Sequence, residues 1–209
     1  MHIFSMLGEN RRLEKSQDHI EALKEMYNLD QDYSLYEERG LFLEGTSSLV
    51  MDRINKIAYM GISPRSNLNL AEKWSERNGF TLIPFETKSH TGGAIYHSDV
   101  MMYIGTKLAV VCQDSIANGK NEVIESLGKT HELMFISDSQ LLNFCGNCIE
   151  VKDHENRLCL IMSSKAFVGY DDAQIKTLNK FYDRIIHSDL TTIENHGGGS
   201  ARCMIMELY

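Results

Sequence analysis

The feature that most restricts how this chain folds is a pairing of short apolar runs that recurs about every 50 residues, the spacing of a repeated supersecondary unit. Leu49-Val50-Met51 precedes Ile57-Ala58-Tyr59-Met60. Val100 to Ile104 precedes Leu108 to Cys112, and Ile149-Glu150-Val151 precedes Leu158 to Met162. Cys203-Met204-Ile205-Met206 then opens a fourth pair. Short polar segments such as Asp52 to Lys56 and Asp153 to Arg157 separate the members, which predicts hairpins. A helical pattern follows each pair. One covers 68–78 and stops at Gly79, and a shorter one covers 122–127 and stops at Gly128. A third covers 171–187, with Ile175, Leu178, Phe181, Tyr182, Ile185 and Ile186 on one face. Further strands are predicted at 80–85, 132–136 and 190–193. The unit reads strand, strand, helix, strand.

The N-terminus reads as a unit caught midway, with a strand at Ile3 to Met6, a helix lined by Ile20, Leu23, Met26 and Tyr27, and an apolar run at Leu41-Phe42-Leu43. The expectation is an α/β fold with three whole ββαβ units and two partial ones. Repeated mixed units that bury one another's faces suggest a ring. An open α/β repeat would give the same periodicity.

Composition narrows the class. A length of 209 residues with 43% hydrophobic and 24% charged residues suits one soluble globular domain, 1–209. No apolar run approaches the ~18 residues of a membrane span, and Met1 to Asn10 is too short and polar to read as a signal peptide. A net charge of −8 disfavours nucleic acid as a partner. Five cysteines, an odd count, read as reduced thiols of a cytoplasmic protein.

Reactive residues fall where the unit repeats. Glu44 precedes the first apolar pair, His97 and Asp99 the second, and Asn147 the third; Cys203 follows Gly197-Gly198-Gly199-Ser200. In a ring of equivalent units these loops would converge on one axis. A thiol beside an imidazole and carboxylates suits attack on an electron-poor carbon. The imidazole takes the thiol proton and later protonates a leaving amine. Each residue alone has a plainer reading, His97 and Glu44 as ordinary structural groups and the glycine run as a loop. Cys112 and Cys159, inside apolar runs, read as core. Cys145-Gly146-Asn147-Cys148 lacks the second pair of ligands a zinc site needs, and it reads as two small buried residues around a loop. Ser126 to Lys129 matches an isolated SxxK. GxGxxG, GxxxxGK[ST], HExxH and GxSxG are absent.

The same residues carry a family resemblance. Phe42 to Val50 resembles the LEGTGSLV stretch of the amidinotransferase superfamily, Ile95 to Met102 resembles its YHTNVMM stretch, and Gly197 to Met204 resembles its terminal GGGSARCM. The run of similarity starts near Glu9 to Glu14, and is greatest to citrulline-utilisation hydrolases, with arginine deiminases related. The resemblance implies a pentein fold, an α/β propeller of five ββαβ units. It also implies catalytic roles: Cys203 as nucleophile, His97 as general acid and base, Glu44 as its support and as a ligand of substrate nitrogens. Asp99 would grip a guanidinium, and Arg65 would bind an α-carboxylate, with Arg12 or Arg11 assisting. Asn147 joins Asp99, Arg65 and Arg12 as a candidate substrate-binding residue. The implied substrate is a small guanidino or ureido amino acid of the citrulline or arginine type, processed without metal or cofactor. Transfer of the amidino group to an amine, and a non-catalytic binding role on the same fold, stay open beside hydrolysis.

Two departures from the family pattern carry expectations. Five units of about 50 residues need about 250, so a first blade bearing an FPNNW-like motif is expected to be missing, which would leave an impaired or unstable fragment. Ser47 stands where the family has glycine, and would perturb the turn after Glu44 if that position needs φ > 0.

Overall fold

The computed structural model describes residues 1–207. It contains three complete ββαβ units. The first has strands Val50–Asp52 and Ile57–Ile62, helix Leu68–Asn78 and strand Thr81–Thr87. The second has Met102–Ile104, Leu108–Val111, Lys120–Gly128 and Glu132–Phe135. The third has Ile149–Lys152, Leu158–Ser163, helices Ser164–Gly169 and Asp172–Phe181, and Arg184–Ser188. In each unit the first two strands pair antiparallel and the helix returns the chain to a parallel third strand. Ile116–Asn118 extends the first sheet, antiparallel to Thr81–Thr87.

Local chemistry accounts for these elements. The Asp52 carboxylate accepts N–H bonds from Ile54 and Asn55 at 3.1 and 2.9 Å, and Asp153 accepts from Glu155 and Arg157 at 2.9 and 3.0 Å. These equivalent aspartates close the hairpin turns of the first and third units. The Asn67 side chain caps helix Leu68–Asn78, and Gly79 ends it in the left-handed conformation. Leu70, Ala71 and Trp74 lie on its buried face. Asp171 and Gln174 form a reciprocal capping box at the start of Asp172–Phe181.

The three first strands lie side by side, Met102–Ile104 between the other two. The loops that precede them therefore lie at one end, and a cavity of about 320 Å³ runs along the strands toward their hairpin turns, lined among others by Asp99, Asp52, Tyr103, Thr106 and Glu150. Outward from these strands lies a core that includes Tyr59, Met101, Val110, Leu160 and Leu178. A smaller core of Leu43, Leu49, Met60 and Trp74 joins the first unit to the N-terminal portion.

Five expectations need correction. The helix predicted over 171–187 ends at Phe181, and Arg184–Ser188 is a strand. Its Ile185 and Ile186 pair with Leu160 and Ile161, so their apolar character serves a parallel sheet. The strand predicted at 190–193 is the start of helix Thr191–Gly197, entered where Asp189 accepts the Thr191 N–H at 2.9 Å. The fourth strand pair does not form: Arg202–Met204 is a helical turn, and the backbone N–H groups of Ser200 and Arg202 go to the Asn147 side chain instead of to a ladder. At the N-terminus only His2–Ile3 forms a strand, parallel to Gln31–Asp32, and Leu43 makes isolated bridges to Ser5 and Ser66. Helix Gln17–Lys24 buries none of its residues.

Candidate active site

Four loops build the site. Gly45–Ser48 forms one helical turn just after Glu44, and here Gly45 takes the positive φ of 60°. Ser47 has no positive φ, so serine is accommodated there and the expected perturbation does not arise. A chain of buried serines fixes the loops to one another. Ser48 Oγ accepts the Glu44 N–H at 3.2 Å and donates to the Arg65 carbonyl at 3.0 Å, with Ser66 Oγ 2.8 Å away. Ser98 Oγ donates to the Ser48 carbonyl and accepts the Gly61 N–H, both at 2.8 Å. The loops carrying Glu44, Arg65 and His97 thus share one satisfied polar network in a water-excluded place.

Glu44 and His97 form a buried pair, with His97 Nε2 2.7 Å from Glu44 Oε2. The second carboxylate oxygen accepts the Leu7 N–H at 2.9 Å, and Arg65 Nη1 lies 3.6 Å from Oε2. Burial pushes the Glu44 carboxyl up, but the hydrogen bonds from His97 and Leu7 and the charges of His97 and Arg65 outweigh it and hold the group below its ordinary value. Arg65 also lies over the Tyr96 ring, 5.2 Å from its centroid. Tyr96 in turn donates its hydroxyl to the Gly198 carbonyl, which ties the glycine run to the His97 loop.

Cys203 is the one cysteine that is not fully buried. Its S–H donates to Asp99 Oδ2 at 3.5 Å, and Asn147 Nδ2 donates to its sulfur at 3.1 Å. Burial and the neighbouring Asp99 charge push the thiol up to about 12, so at neutral pH it is protonated. Asp99 is itself buried, which raises its carboxyl above the usual range, and its Oδ1 has no hydrogen-bond partner among the described residues. A cationic group brought to this place would satisfy the carboxylate and ease loss of the thiol proton.

Asn147 has a different place from the one expected. It is fully buried, and its Nδ2 donates to the Asp99 carbonyl at 2.8 Å and to Cys203. Its Oδ1 accepts the N–H groups of Ser200, Arg202 and Cys203 at 3.2, 3.1 and 3.4 Å. These bonds occupy both its side-chain donor and its acceptor, so Asn147 clamps the loop that carries Cys203. Gly146 makes the clamp possible: a Cβ there would lie 2.6 Å from the Val100 carbonyl oxygen, so only glycine lets this loop press against the Asp99 loop. Asn147→Ala is expected to lower unfolding stability by about 2–3 kcal/mol, because several buried backbone groups lose their partner. An unchanged urea midpoint would refute the clamp.

Arg12 is also placed differently from the expectation. Its guanidinium donates to the Met6 and Leu7 carbonyls at 2.9 and 3.4 Å and lies 3.4 Å from Glu37 Oε2, so its donors serve the N-terminal segment. Arg11 pairs with Glu14 at 3.4 Å, and its charge acts on the Tyr96 hydroxyl. The CxxC cysteines are buried and unbridged: Cys145 Sγ donates to the Ala166 carbonyl and Cys148 Sγ to the Cys145 carbonyl, both at 3.4 Å. Ser126 of the SxxK match bonds the Tyr59 hydroxyl at 2.7 Å, a packing role. Sequence reasoning missed the Leu7 N–H, Tyr96 as a tether, and the serine chain. Backbone donors and common serines leave no spacing signal to find.

Among the described residues no group of three or more His, Cys, Asp or Glu side chains is arranged to hold a metal ion, and no helix is long and apolar enough to cross a membrane.

Comparison with solved structures shows the pentein fold. ArgZ, an arginine dihydrolase from cyanobacteria, matches in its apo form with a TM-score of 0.74 at 15% identity, covering 99% of this chain and 31% of that one. The N-terminal domain of ArgZ bound to substrate matches with a TM-score of 0.77 at 15% identity, covering 98% of this chain and 69% of that domain. A dimethylarginine dimethylaminohydrolase adduct with 4-chloro-2-hydroxymethylpyridine matches with a TM-score of 0.62 at 18% identity, covering 97% and 71%. This chain thus spans about a third of the full-length ArgZ chain. No curated protein matches the sequence. A family model described as N,N dimethylarginine dimethylhydrolase, eukaryotic, matches residues 1–209, and with that match the chain belongs to the N,N-dimethylarginine dimethylhydrolase family.

Proposed function

We propose that the protein is a thiol-dependent hydrolase that cleaves a C–N bond of a guanidino group, with Cys203 as nucleophile, His97 as general acid and base, and Glu44 as the group that orients His97. The observation that carries this reading is the part-buried Cys203–Asp99 contact at 3.5 Å, Asp99 lying two residues from the His97 of the buried Glu44–His97 pair at 2.7 Å. The substrate's guanidinium would sit against Asp99, where a planar cation with N–H donors satisfies a buried carboxylate. Its charge would also offset the influence that raises the thiol, so the thiolate forms when substrate is present.

Cys203 sulfur attacks the guanidinium carbon and forms a C–S bond. The thiol proton passes through His97 to the departing nitrogen, the C–N bond breaks, and an amine or ammonia leaves. Water then gives a proton to His97 and attacks the same carbon. The C–S bond breaks, His97 returns its proton to the sulfur so that the thiol is restored, and the second water proton passes to solvent and so to the released amine, leaving a neutral ureido product. With His97 Nε2 committed to Glu44, Nδ1 is the nitrogen available for these transfers. Arg65, 29% exposed at its side chain, is the candidate for the substrate's carboxylate end.

Asp99 bears on the substrate class. A neutral ureido group such as that of citrulline would add no charge to the buried Asp99 carboxylate beyond those of His97 and Arg202, whereas arginine or an ω-N-methylated arginine brings a cation into contact with it. The family's name points to N,N-dimethylarginine, and the cyanobacterial neighbour's to arginine. The test is release of dimethylamine or ammonia from N,N-dimethylarginine, arginine and citrulline supplied in parallel. Turnover of either cationic substrate well above that of citrulline is expected. Preference for citrulline would overturn the role given to Asp99, and no release from any of the three would overturn the hydrolase reading.

A further inference from the structure

Between the bridge at Ser5 and the helical turn Glu9–Lys15, the backbone of Met6 and Leu7 is hydrogen-bonded by side chains. The Met6 N–H donates to Glu37 Oε1 at 2.8 Å. The Met6 and Leu7 carbonyls accept from Arg12, and the Phe4 carbonyl accepts from Lys15 Nζ at 2.9 Å. Arg12 and Lys15 both pair with Glu37, whose side chain is 13% exposed. Once these bonds are made, the Leu7 N–H remains, and it is the donor that reaches Glu44 Oε1.

We infer that Glu37 is a positioning residue for the Glu44–His97 pair, acting through the Met6–Leu7 segment that it clamps together with Arg12 and Lys15. The inference rests on the role proposed above for that pair. Glu37 sits in the turn Ser34–Arg39, a different element from either member of the pair, and it reaches them through Arg12, Lys15 and the Met6–Leu7 backbone. Its charge is what gathers the two cations, and the cations are what hold the carbonyls. Loss of the clamp frees the Leu7 N–H and takes one hydrogen bond from the Glu44 carboxylate. The charged and titratable groups that act on Glu44 are His97 and Arg65, and those on Glu37 are Arg12 and Lys15. Removing Glu37 therefore changes Glu44 through the lost N–H bond. A carboxylate that loses a donor holds its proton more tightly, so the Glu44 titration midpoint rises.

The experiment follows the Leu7 amide resonance of ¹⁵N-labelled protein as pH is lowered. That amide reports Glu44 ionisation directly and requires no turnover. In Glu37→Ala the midpoint is expected to rise by about half to one pH unit, and by less in Glu37→Gln, which keeps an acceptor for the Met6 N–H. The acid limb of kcat/KM for N,N-dimethylarginine or arginine should move by the same amount. Arg12→Gln releases the two carbonyls while leaving Glu37 in place; it carries the test if Glu37→Ala does not fold. A Leu7 midpoint equal to wild type in the folded variants overturns the inference. A midpoint that rises while the acid limb stays fixed upholds the clamp and overturns the catalytic role of Glu44.

Discussion

Cys203→Ala is expected to lower amine release from the cationic guanidino substrate by about four orders of magnitude or more, the effect of removing a nucleophile from a concerted set of catalytic groups. The site offers no substitute. Cys112, Cys145, Cys148 and Cys159 are all buried, their sulfurs bonded to Ser115 and Asp138, to the Ala166 carbonyl, to the Cys145 carbonyl and to the Arg157 carbonyl respectively, and burial pushes Cys112 and Cys145 above the ordinary thiol range, the latter up to about 12. The variant should still bind substrate, because the Asp99 carboxylate stays and its Oδ1 has no close hydrogen-bond partner among the described residues. Titration calorimetry with arginine alongside the rate assay separates the two effects. A residual rate above about a hundredth of wild type would mean that water attacks directly and no C–S bond forms.

The ββαβ repeat is legible because each strand pair is an apolar run closed by a turn whose chemistry is local. Asp52 and Asp153 close their own hairpins, and Asn67 and Gly79 bound their own helix. Legibility fails where a distant group decides. The apolar spacing of Ile185 and Ile186 fits a helix face and a parallel strand equally, and pairing with Leu160 and Ile161 settles it. The segment after Ser200 is apolar enough for a strand, but its N–H groups are claimed by Asn147, more than fifty residues earlier. The same distinction runs through the site. Glu44, His97, Asp99 and Cys203 stand out because reactive side chains fall at equivalent points of the repeat. Their convergence follows from the first strands lying side by side. Asn147 looks like a ligand for the same reason and Arg12 by the family resemblance, yet the hydrogen bonds of Asn147, and those of the Arg12 Nε and Nη2 groups, are made inside the protein. Residue type and position nominate a group; its hydrogen-bond inventory decides whether anything is left for a substrate.

Asp99→Asn should separate the thiol's intrinsic reactivity from its reactivity toward a cation, because the two move in opposite directions. Burial is the larger cause of the high Cys203 value and Asp99's charge the next. Asparagine removes the second cause and leaves the first, so the thiol value falls but stays above the ordinary range. Below that value thiolate abundance rises about tenfold for each unit of decrease, so alkylation by neutral iodoacetamide at about pH 8 should speed up by several fold to about tenfold. Hydrolysis of a guanidinium substrate should fall by about two to three orders of magnitude, since the cation loses a buried counter-charge. A cationic alkylating agent of the chloroacetamidine type should follow the substrate and not iodoacetamide. Simple loosening of the nucleophile loop, by contrast, would expose the sulfur to both reagents alike. Equal acceleration of the neutral and the cationic reagent would therefore remove Asp99 from substrate recognition and reduce it to packing around Cys203. Acceleration of one with retardation of the other would place the carboxylate against the substrate's positive charge.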